Sequence, residues 1–338
     1  MAHPILVEIT RGARVESVHR GAVAIADAGG GIVFSLGDID APTFPRSSLK
    51  MVQALPLLES GAADAFGLGD EEIALACASH TGEAMHVERV AAWLNRIGCT
   101  ESDLACGAHP SLAEVVKDAM LARGEVPTPI HNNCSGKHAG FLTVCRHWNI
   151  ATQGYERHSH PLQVAIAKVL GELAGIDGEI PHGVDGCVAP AFAVSTRAMA
   201  QVLAKYADPS GQPPQRAAAM RRIVAAMIAH PDLVAGTGRS DTILMRAANR
   251  RAVTKVGAEA FYAAVVPEAG LGMALKIDDG AGRAADTAIA AILDKLGVLA
   301  QDKAAQDIIR APILNTRGAT VGERRPAVAL AEARIRAC

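Results

Sequence analysis

Aromatic residues, clustered positive charge and long apolar runs are all scarce in this sequence. Phe, Trp and Tyr together make up 3% of its 338 residues, so the core must consist mainly of aliphatic side chains and alanine-rich helices. Lys and Arg form no basic block and the net charge is −2, which argues against binding nucleic acid through its phosphates. No apolar run reaches the roughly 18 residues that a membrane-spanning helix requires, so no contact with a membrane is predicted.

Signals for secretion and for disulfide bonds are also lacking. The N-terminal stretch Met-Ala-His-Pro-Ile-Leu-Val-Glu has neither the charged nor the apolar region of a signal peptide. The cysteines are odd in number and include no C-x-x-C pair, so we interpret them as reduced thiols, some buried and some available to a metal. These features predict a cytoplasmic protein. The cysteines are Cys77, Cys99, Cys106, Cys134, Cys145, Cys187 and Cys338.

The order of predicted elements indicates the fold class. Half of the residues are hydrophobic, which is enough for a sizeable core. Helical patterns fill the middle of the chain, and short strands occur near both ends, so the two ends are expected to share one antiparallel sheet. We predict an α/β (α+β) protein with a single domain over 1–338, its sheet from about 1–40 and 250–338 and its helical lobe from about 41–250. The predicted strands are 5–9, 15–26, 31–36, 252–256, 261–266 and 273–277.

A serine and a lysine stand three residues apart in the stretch Phe-Pro-Arg-Ser-Ser-Leu-Lys, which ends at Lys50. If a helix begins here, with Ser47 or Ser48 as its cap after Pro45, Ser47 and Lys50 lie on one face. A serine hydroxyl becomes a good nucleophile only when a base takes its proton, and a lysine is such a base only when its pKa is lowered. Penicillin-recognising enzymes use this S-x-x-K spacing. An ordinary solvated helix start is the alternative interpretation.

A second serine and a second lysine are candidates for the same site. Ser79 precedes His80 between two predicted helices, where it is either a capping residue or a second catalytic hydroxyl. Lys255 ends a predicted strand, where it either points to water or places a cation beside the nucleophile. Gly257, two residues later, would allow a substrate backbone to approach closely.

Two thiols occur beside other potential metal ligands. Cys134 precedes Lys137 and His138 at the start of a predicted helix, and Cys187 follows Asp185 in a glycine-containing loop. Two thiols with a nearby imidazole or carboxylate could hold zinc. Buried, unreactive thiols are the alternative.

Five short motifs, taken in order, resemble those of the rhizobial-type (class 3) L-asparaginases. The similarity runs over nearly the whole chain and is weakest in the tail from about Ala311. Because five unrelated short matches must occur in sequence, the combination is far more specific than any one of them. The motifs are Arg46-Ser47-Ser48-Leu49-Lys50, Ser79-His80, Cys134-Ser135-Gly136-Lys137-His138, Asp185-Gly186-Cys187 and Lys255-Val256-Gly257-Ala258-Glu259.

The resemblance implies a fold, an activity and a set of site residues. The fold would be similar to that of penicillin-binding proteins, serine β-lactamases and serine glutaminases, in a homodimer that hydrolyses L-asparagine to L-aspartate and ammonia. Two catalytic Ser-Lys pairs would be Ser47 with Lys50 and Ser79 with Lys255, with Ser47 preferred as the nucleophile. A zinc ion would be held by Cys134, Lys137 and Cys187, and substrate would be bound by Arg46, His80 and Asp185.

Three other functions compete with this one. A serine glutaminase would act on a substrate longer by one methylene, a difference that is hard to read from sequence. A β-lactamase or penicillin-binding protein would carry S-x-N and K-T-G, whereas this chain has Ser79-His80-Thr81 and Lys255-Val256-Gly257. A non-enzymatic, cytosolic zinc-binding protein would use the serines only as helix caps.

Overall fold

The structure is a computed structural model that describes residues 2–335. Its strands are β1 (Ile5–Arg11), β2 (Arg14–Asp27), β3 (Ile32–Leu36), β4 (Pro42–Thr43), β5 (His182–Val184), β6 (Pro190–Phe192), β7 (Val194–Ser195), β8 (Val253–Val256), β9 (Phe261–Val266), β10 (Leu271–Ile277), β11 (Ala311–Leu314) and β12 (Thr320–Pro326). Its α-helices are α1 (Lys50–Gln53), α2 (Leu55–Glu59), α3 (Ala62–Ala65), α4 (Asp70–Ala76), α5 (Ala84–Arg96), α6 (Glu114–Ala122), α7 (Ser135–Trp148), α8 (Pro161–Ala174), α9 (Thr196–Ala207), α10 (Pro214–Ala229), α11 (Pro231–Val234), α12 (Ser240–Ala247), α13 (Gly282–Lys295), α14 (Lys303–Ile309) and α15 (Val328–Ala331). Short 3-10 turns cover Arg46–Leu49, Glu101–Asp103, Pro129–His131, Pro209–Gly211, Ala258–Ala260 and Pro267–Ala269.

The chain forms two compact units. The sheet unit contains the residues up to Ser48, the segment Val194–Asp208 and the residues from Ile243 on. The helical unit contains Leu49–Ala193 and Pro209–Thr242. The expectation that both belong to one catalytic domain stays a prediction.

The sheet unit confirms the predicted antiparallel sheet built from both ends of the chain. Eight strands pair antiparallel in the order β11-β12-β1-β2-β10-β9-β8, and β3 pairs with β2. The second half of β2 is buried because α9 and α13 contribute apolar side chains to the same unit. The outer strands β11 and β12 lie in the tail where the sequence offered no motif; β12 carries Glu323, Arg324 and Arg325, so its sequence lacks a clear apolar alternation.

One helix of the sheet unit comes from the stretch that the sequence analysis assigned to the helical lobe. Helix α9 packs on β2, β9 and β10. Its backbone comes so close to Gly272 of β10 that a Cβ there would lie 2.0 Å from the Ala204 nitrogen. A glycine is therefore required at 272, and its contact explains why α9 belongs with the strands.

The helical unit confirms the predicted helices of the middle of the chain. Helix α7 begins against the end of α4, where a Cβ on Gly136 would lie 2.4 Å from the Leu75 carbonyl oxygen. Trp93 of α5 donates to the Thr143 hydroxyl of α7 at 2.9 Å, which satisfies a buried indole N–H. Two small ribbons, β4 with β7 in the sheet unit and β5 with β6 in the helical unit, were not predicted from the sequence.

Two further predictions concern disulfide bonds and membrane-spanning helices. Each cysteine within residues 2–335 is buried and forms no disulfide, while Cys338 lies outside the described residues. Among the helices of residues 2–335, none is both long and apolar enough to cross a bilayer.

Candidate functional site

In the sheet unit, the residues on either side of Ser47 pack against the end of β8. The Ser48 hydroxyl donates to the Lys255 carbonyl at 2.8 Å, and the Ser48 amide donates to Pro45 at 3.1 Å. A Cβ on Gly257 would lie 2.3 Å from the Pro45 carbonyl oxygen, so only glycine permits this approach. The glycine anticipated for substrate contact thus serves the chain's own backbone.

Ser47 lies in a strained turn on this docked segment. Arg46 has a φ of 52°, a left-handed conformation that is uncommon for residues other than glycine. Ser47 is half-buried, whereas Ser48 is fully buried. The predicted serine cap is wrong: the segment enters as a 3-10 turn, α1 has no side-chain cap, and the Ser48 hydroxyl is used by Lys255. Strain of this kind is common where a reactive group must be presented.

Lys255 is fully buried at the end of β8. Its ammonium donates to the Val256 carbonyl at 2.7 Å, so the side chain does not extend into water. The interpretation of Lys255 as a solvated strand-end lysine is therefore wrong. Its predicted pairing with Ser79 stays a prediction.

In the helical unit, Lys50 contacts Ser79. The Lys50 side chain is fully buried, and its amine donates to the Ala78 carbonyl and to the Ser79 hydroxyl, the latter at 3.0 Å. The backbone N–H of Ser79 donates to the Val234 carbonyl at 2.9 Å, and the backbone N–H of His80 donates to the Asn133 carbonyl at 3.2 Å. Ser79 is thus fixed by its backbone and held within proton-transfer distance of a buried amine.

His80 is buried and neutral, with both ring nitrogens engaged. The Gly82 amide donates to Nδ1 at 3.1 Å, so the ring proton is on Nε2, which donates to the Ser135 hydroxyl at 2.9 Å. Burial is the main reason why the pKa of His80 lies well below its usual value, with the neighbouring His86 acting in the same direction. The ring therefore cannot take a proton from Ser135. Substrate binding by His80 stays a prediction.

The neutral His80 gives a testable dependence of stability on pH. Because its pKa is depressed in the folded state, the unfolded chain binds more protons below about pH 6.5, so stability should be complete above that pH and decrease below it. We expect His80→Gln to reduce this slope by about 1.4 kcal/mol per pH unit. Chemical unfolding between pH 5 and 7 measures it, with the exposed His147→Gln as control. Equal slopes of unfolding free energy against pH for wild type and His80→Gln would contradict this prediction. The other histidines that act on the His80 ring, His86 and His131, are unchanged in all three proteins.

The predicted metal ligands come together in the helical unit. The Lys137 amine lies 2.9 Å from the Cys187 sulfur, and Cys134 hydrogen-bonds to Cys187. All three side chains are buried at 4% exposure. Asp185 lies in the same loop and accepts from the Cys187 amide at 3.4 Å.

The charges in this cluster favour a thiolate. The hydrogen bond from Cys134, with the charge on Lys137, lowers the pKa of Cys187 to about 5 although burial opposes it. The same hydrogen bond and burial raise the pKa of Cys134 to about 12. Burial alone would lower the pKa of Lys137, but Cys187 and Cys134 raise it above its usual value. The lowered pKa of Cys187 favours its thiolate form, which is the form that binds metals.

The donor set fits a zinc ion. Two sulfurs and an amine are ligands that Zn²⁺ accepts, and a lysine binds metal only after losing its proton. Within residues 2–335, no imidazole or carboxylate ligand atom lies within 4.8 Å of both thiols, whereas the Lys137 amine lies 2.9 Å from the Cys187 sulfur. His138, considered as an alternative ligand, accepts instead from the Tyr155 hydroxyl at 2.7 Å through Nδ1.

Ser135 and Tyr155 were missed by the sequence reasoning. Ser135 stands inside a quoted motif, but nothing in the motif indicates that it accepts from His80. Tyr155 accepts from the Ala105 amide at 2.9 Å and therefore donates to His138, whose burial lowers its pKa to about 3. The signal for Tyr155 was its rarity, since the chain has 3 tyrosines.

Solved structures similar to this chain share little sequence with it. Mglu in its native form is 14% identical, with 84% of this chain and 66% of that chain covered and a TM-score of 0.48. A β-lactamase from Mycobacterium bovis is 13% identical, with 81% and 94% covered and a TM-score of 0.41. A mutant simvastatin synthase from Aspergillus terreus is 13% identical, with 85% and 90% covered and a TM-score of 0.35. The chain spans slightly less than two thirds of the length of Mglu.

A family model gives the more specific result. No curated protein matches the chain at a significant level. The model described as L-asparaginase II matches residues 7–326. This range includes every residue of the five motifs, among them Lys50 and Ser79 and the group of Cys134, Lys137 and Cys187. That family consists of hydrolases that act on amide bonds. The chain therefore belongs to the L-asparaginase II family.

Proposed function

We propose that the protein hydrolyses L-asparagine to L-aspartate and ammonia with a serine nucleophile. The match to the L-asparaginase II family over residues 7–326 is the observation that carries this proposal. The contact between buried Lys50 and Ser79 supports a Ser-Lys mechanism. The homodimer and the cytoplasmic location predicted from the sequence belong to the same proposal.

The reaction has two halves. The Ser47 hydroxyl attacks the side-chain amide carbon while Lys50, as a neutral amine, takes the hydroxyl proton. The C–N bond breaks, the nitrogen takes up that proton and leaves as ammonia, and an ester joins the substrate to Ser47. Water then attacks the ester, its proton returns to the serine oxygen, and L-aspartate leaves.

The remaining predicted residues assist this chemistry. Ser79, in contact with the Lys50 amine, relays or orients the proton. Lys255 adds positive charge at the reacting centre, and Arg46 and Asp185 hold the carboxylate and ammonium groups of the substrate by charge complementarity. His80 positions Ser135 through its Nε2–H and would affect substrate binding only through that contact.

Zinc belongs to the proposal as a resident ion of Cys134, Lys137 and Cys187. When bound, the ion would supply a fixed positive charge that helps to orient the substrate. The buried thiolate of Cys187 and the buried amine of Lys137 are the groups of this chain that support its binding. A serine nucleophile makes a metal-activated water unnecessary.

An ammonia assay tests the proposed activity and separates it from the alternatives. We expect ammonia from L-asparagine, with kcat/KM at least about tenfold higher than from L-glutamine, since one methylene is worth roughly 10–200-fold in a fitted pocket. We expect no cleavage of a chromogenic β-lactam. Preference for glutamine would indicate a glutaminase, and cleavage of the β-lactam a β-lactamase. No ammonia from either amide, with a folded and zinc-loaded protein, would favour the non-enzymatic alternative.

A further inference from the structure

A second group of metal-ligating side chains lies at the surface of the helical unit. The group consists of His158, Glu179 and His182, and one ligand atom from each lies within 4.8 Å of the other two. The two imidazole rings are stacked, with centroids 3.7 Å apart and planes inclined by 12°. None of these residues belongs to the five motifs or to the cluster of Cys134, Lys137 and Cys187.

We infer that His158, Glu179 and His182 form a second site for a divalent transition-metal ion, of which Zn²⁺ is the best-suited. Two imidazoles and one carboxylate are a set of ligands that zinc uses with a fourth position open. The carboxylate of Glu179 offsets part of the charge of the ion.

The chain places two of the three ligands firmly and leaves the third adjustable. His158 and His182 both pack on the buried ring of Phe192, at centroid distances of 6.1 and 6.3 Å. Glu179 has a side chain that is 77% exposed, with a carboxylate oxygen 4.0 Å from Nδ1 of His182. Ligands around a tetrahedral zinc are about 3.4 Å apart, so a rotation of the exposed Glu179 side chain is the main adjustment needed.

The open position of the ion would face a cleft. His158 and Glu179 line a cavity of about 540 Å³ beside α8, together with Lys168 and Asp177. Water or a small anionic ligand can therefore reach the ion without passing through protein. The site is thus distinct from the thiol cluster, where all three donors are buried.

The proposed site lies at the base of the ribbon whose turn carries Asp185 and Cys187. His182 begins β5 and pairs in register with Phe192 of β6, and the turn between these strands carries Asp185 and Cys187. Within that turn, Val188 has a φ of 65°, a conformation that a β-branched residue adopts only when its surroundings impose it. An ion that ties His182 to His158 and Glu179 would fix the base of this ribbon.

Metal stoichiometry tests the inference without relying on activity. Chelator-treated protein is dialysed against micromolar free Zn²⁺, and the bound metal is measured for wild type, Cys187→Ala, His158→Gln and the double variant. We expect about two ions per chain in wild type, one in each single variant and none in the double variant. His147→Gln, which removes an exposed histidine elsewhere, should behave as wild type.

Replacement of zinc by Co²⁺ identifies which ion remains. The cobalt of His158→Gln should show the intense thiolate-to-metal charge-transfer bands, and that of Cys187→Ala should lack them. Glu179→Gln should weaken binding at the surface site by more than the roughly 10–100-fold lost when an outer-shell partner is removed. Zn²⁺ should also raise the Tm of Cys187→Ala by a few degrees, but not that of the double variant.

The failures of the two metal sites are distinguishable. One ion in wild type that is lost in Cys187→Ala and retained in His158→Gln would overturn the second site and leave the thiol site intact. One ion that is retained in Cys187→Ala and lost in His158→Gln would support the second site and contradict the thiol site. Circular dichroism of each variant shows that lost metal is not lost fold.

Discussion

Ser47→Ala is expected to lower kcat/KM for L-asparagine by roughly 10⁴- to 10⁶-fold, the range seen when a nucleophile that acts with its base is removed. The physical reason is that no other atom can form the ester intermediate from the same position. Ser47 is half-buried on a segment anchored by the hydrogen bond from Ser48 to Lys255, so the lost hydroxyl should not disturb the fold. We expect a Tm within about 2 °C of wild type, since a substitution outside the packed core usually changes stability by less than about 0.5 kcal/mol.

The comparison with Ser79→Ala decides between the two serines. Ser79 contacts the Lys50 amine, so its loss should also lower kcat, but an ester on Ser47 should still form. Mass spectrometry of enzyme quenched during turnover should find the substrate-derived adduct on Ser47 in Ser79→Ala and in wild type. An adduct on Ser79, with more than a few per cent of activity left in Ser47→Ala, would make Ser79 the nucleophile. The exposed Ser159→Ala is the matched control.

Lys50→Met is expected to abolish turnover at every pH, with a loss of at least about 10³-fold in kcat/KM. In the proposed mechanism the amine of Lys50 accepts the proton of the serine, and methionine keeps the length of the side chain without a basic atom. The same substitution leaves the Ala78 carbonyl and the Ser79 hydroxyl without their shared donor in a buried place. That loss should lower the free energy of unfolding by about 1–3 kcal/mol.

Lys50→Arg separates the role of a base from that of a charge. Arginine keeps a donor for Ala78 and Ser79, but it stays protonated at any working pH and cannot act as a base. We expect it to restore most of the stability and none of the activity. Activity in Lys50→Arg within tenfold of wild type would mean that Lys50 supplies only positive charge, and the base would have to be sought elsewhere. A pH–rate profile of each variant is the measurement.

Local patterns were enough to predict the elements that carry the site. Alternating and continuous apolar runs predicted β1, β2, β3, β8, β9 and β10, and helical patterns predicted the helices of the middle of the chain, because these patterns reflect which face of an element is buried. The strand β12 and the ribbon of β5 with β6 were not predicted. Their residues acquire strand structure from partners that are distant in sequence, as β12 does by pairing with β1.

The sequence by itself determined the candidate residues and one of their contacts. The resemblance grouped Lys137 with Cys187, 50 residues apart, as metal ligands, and these two residues are in contact. The contact of Ser79 with Lys50, 29 residues away, was not among the predicted pairs, since Ser79 was paired with Lys255. A motif can single out such residues because their chemistry, a serine with a lysine or a thiol with an amine, is recognisable before any fold is known.

Only the tertiary structure decided what the neighbouring polar groups do. Ser48 caps no helix but donates to the Lys255 carbonyl, 207 residues away, and His80 has its proton on Nε2 because the Gly82 amide occupies Nδ1. The stacking of His158 on His182 likewise joins two side chains from separate parts of the chain, the segment before α8 and the start of β5. The direction of a side chain and the atom that carries its proton are set by contacts across the fold, and spacing along the chain contains no information about either.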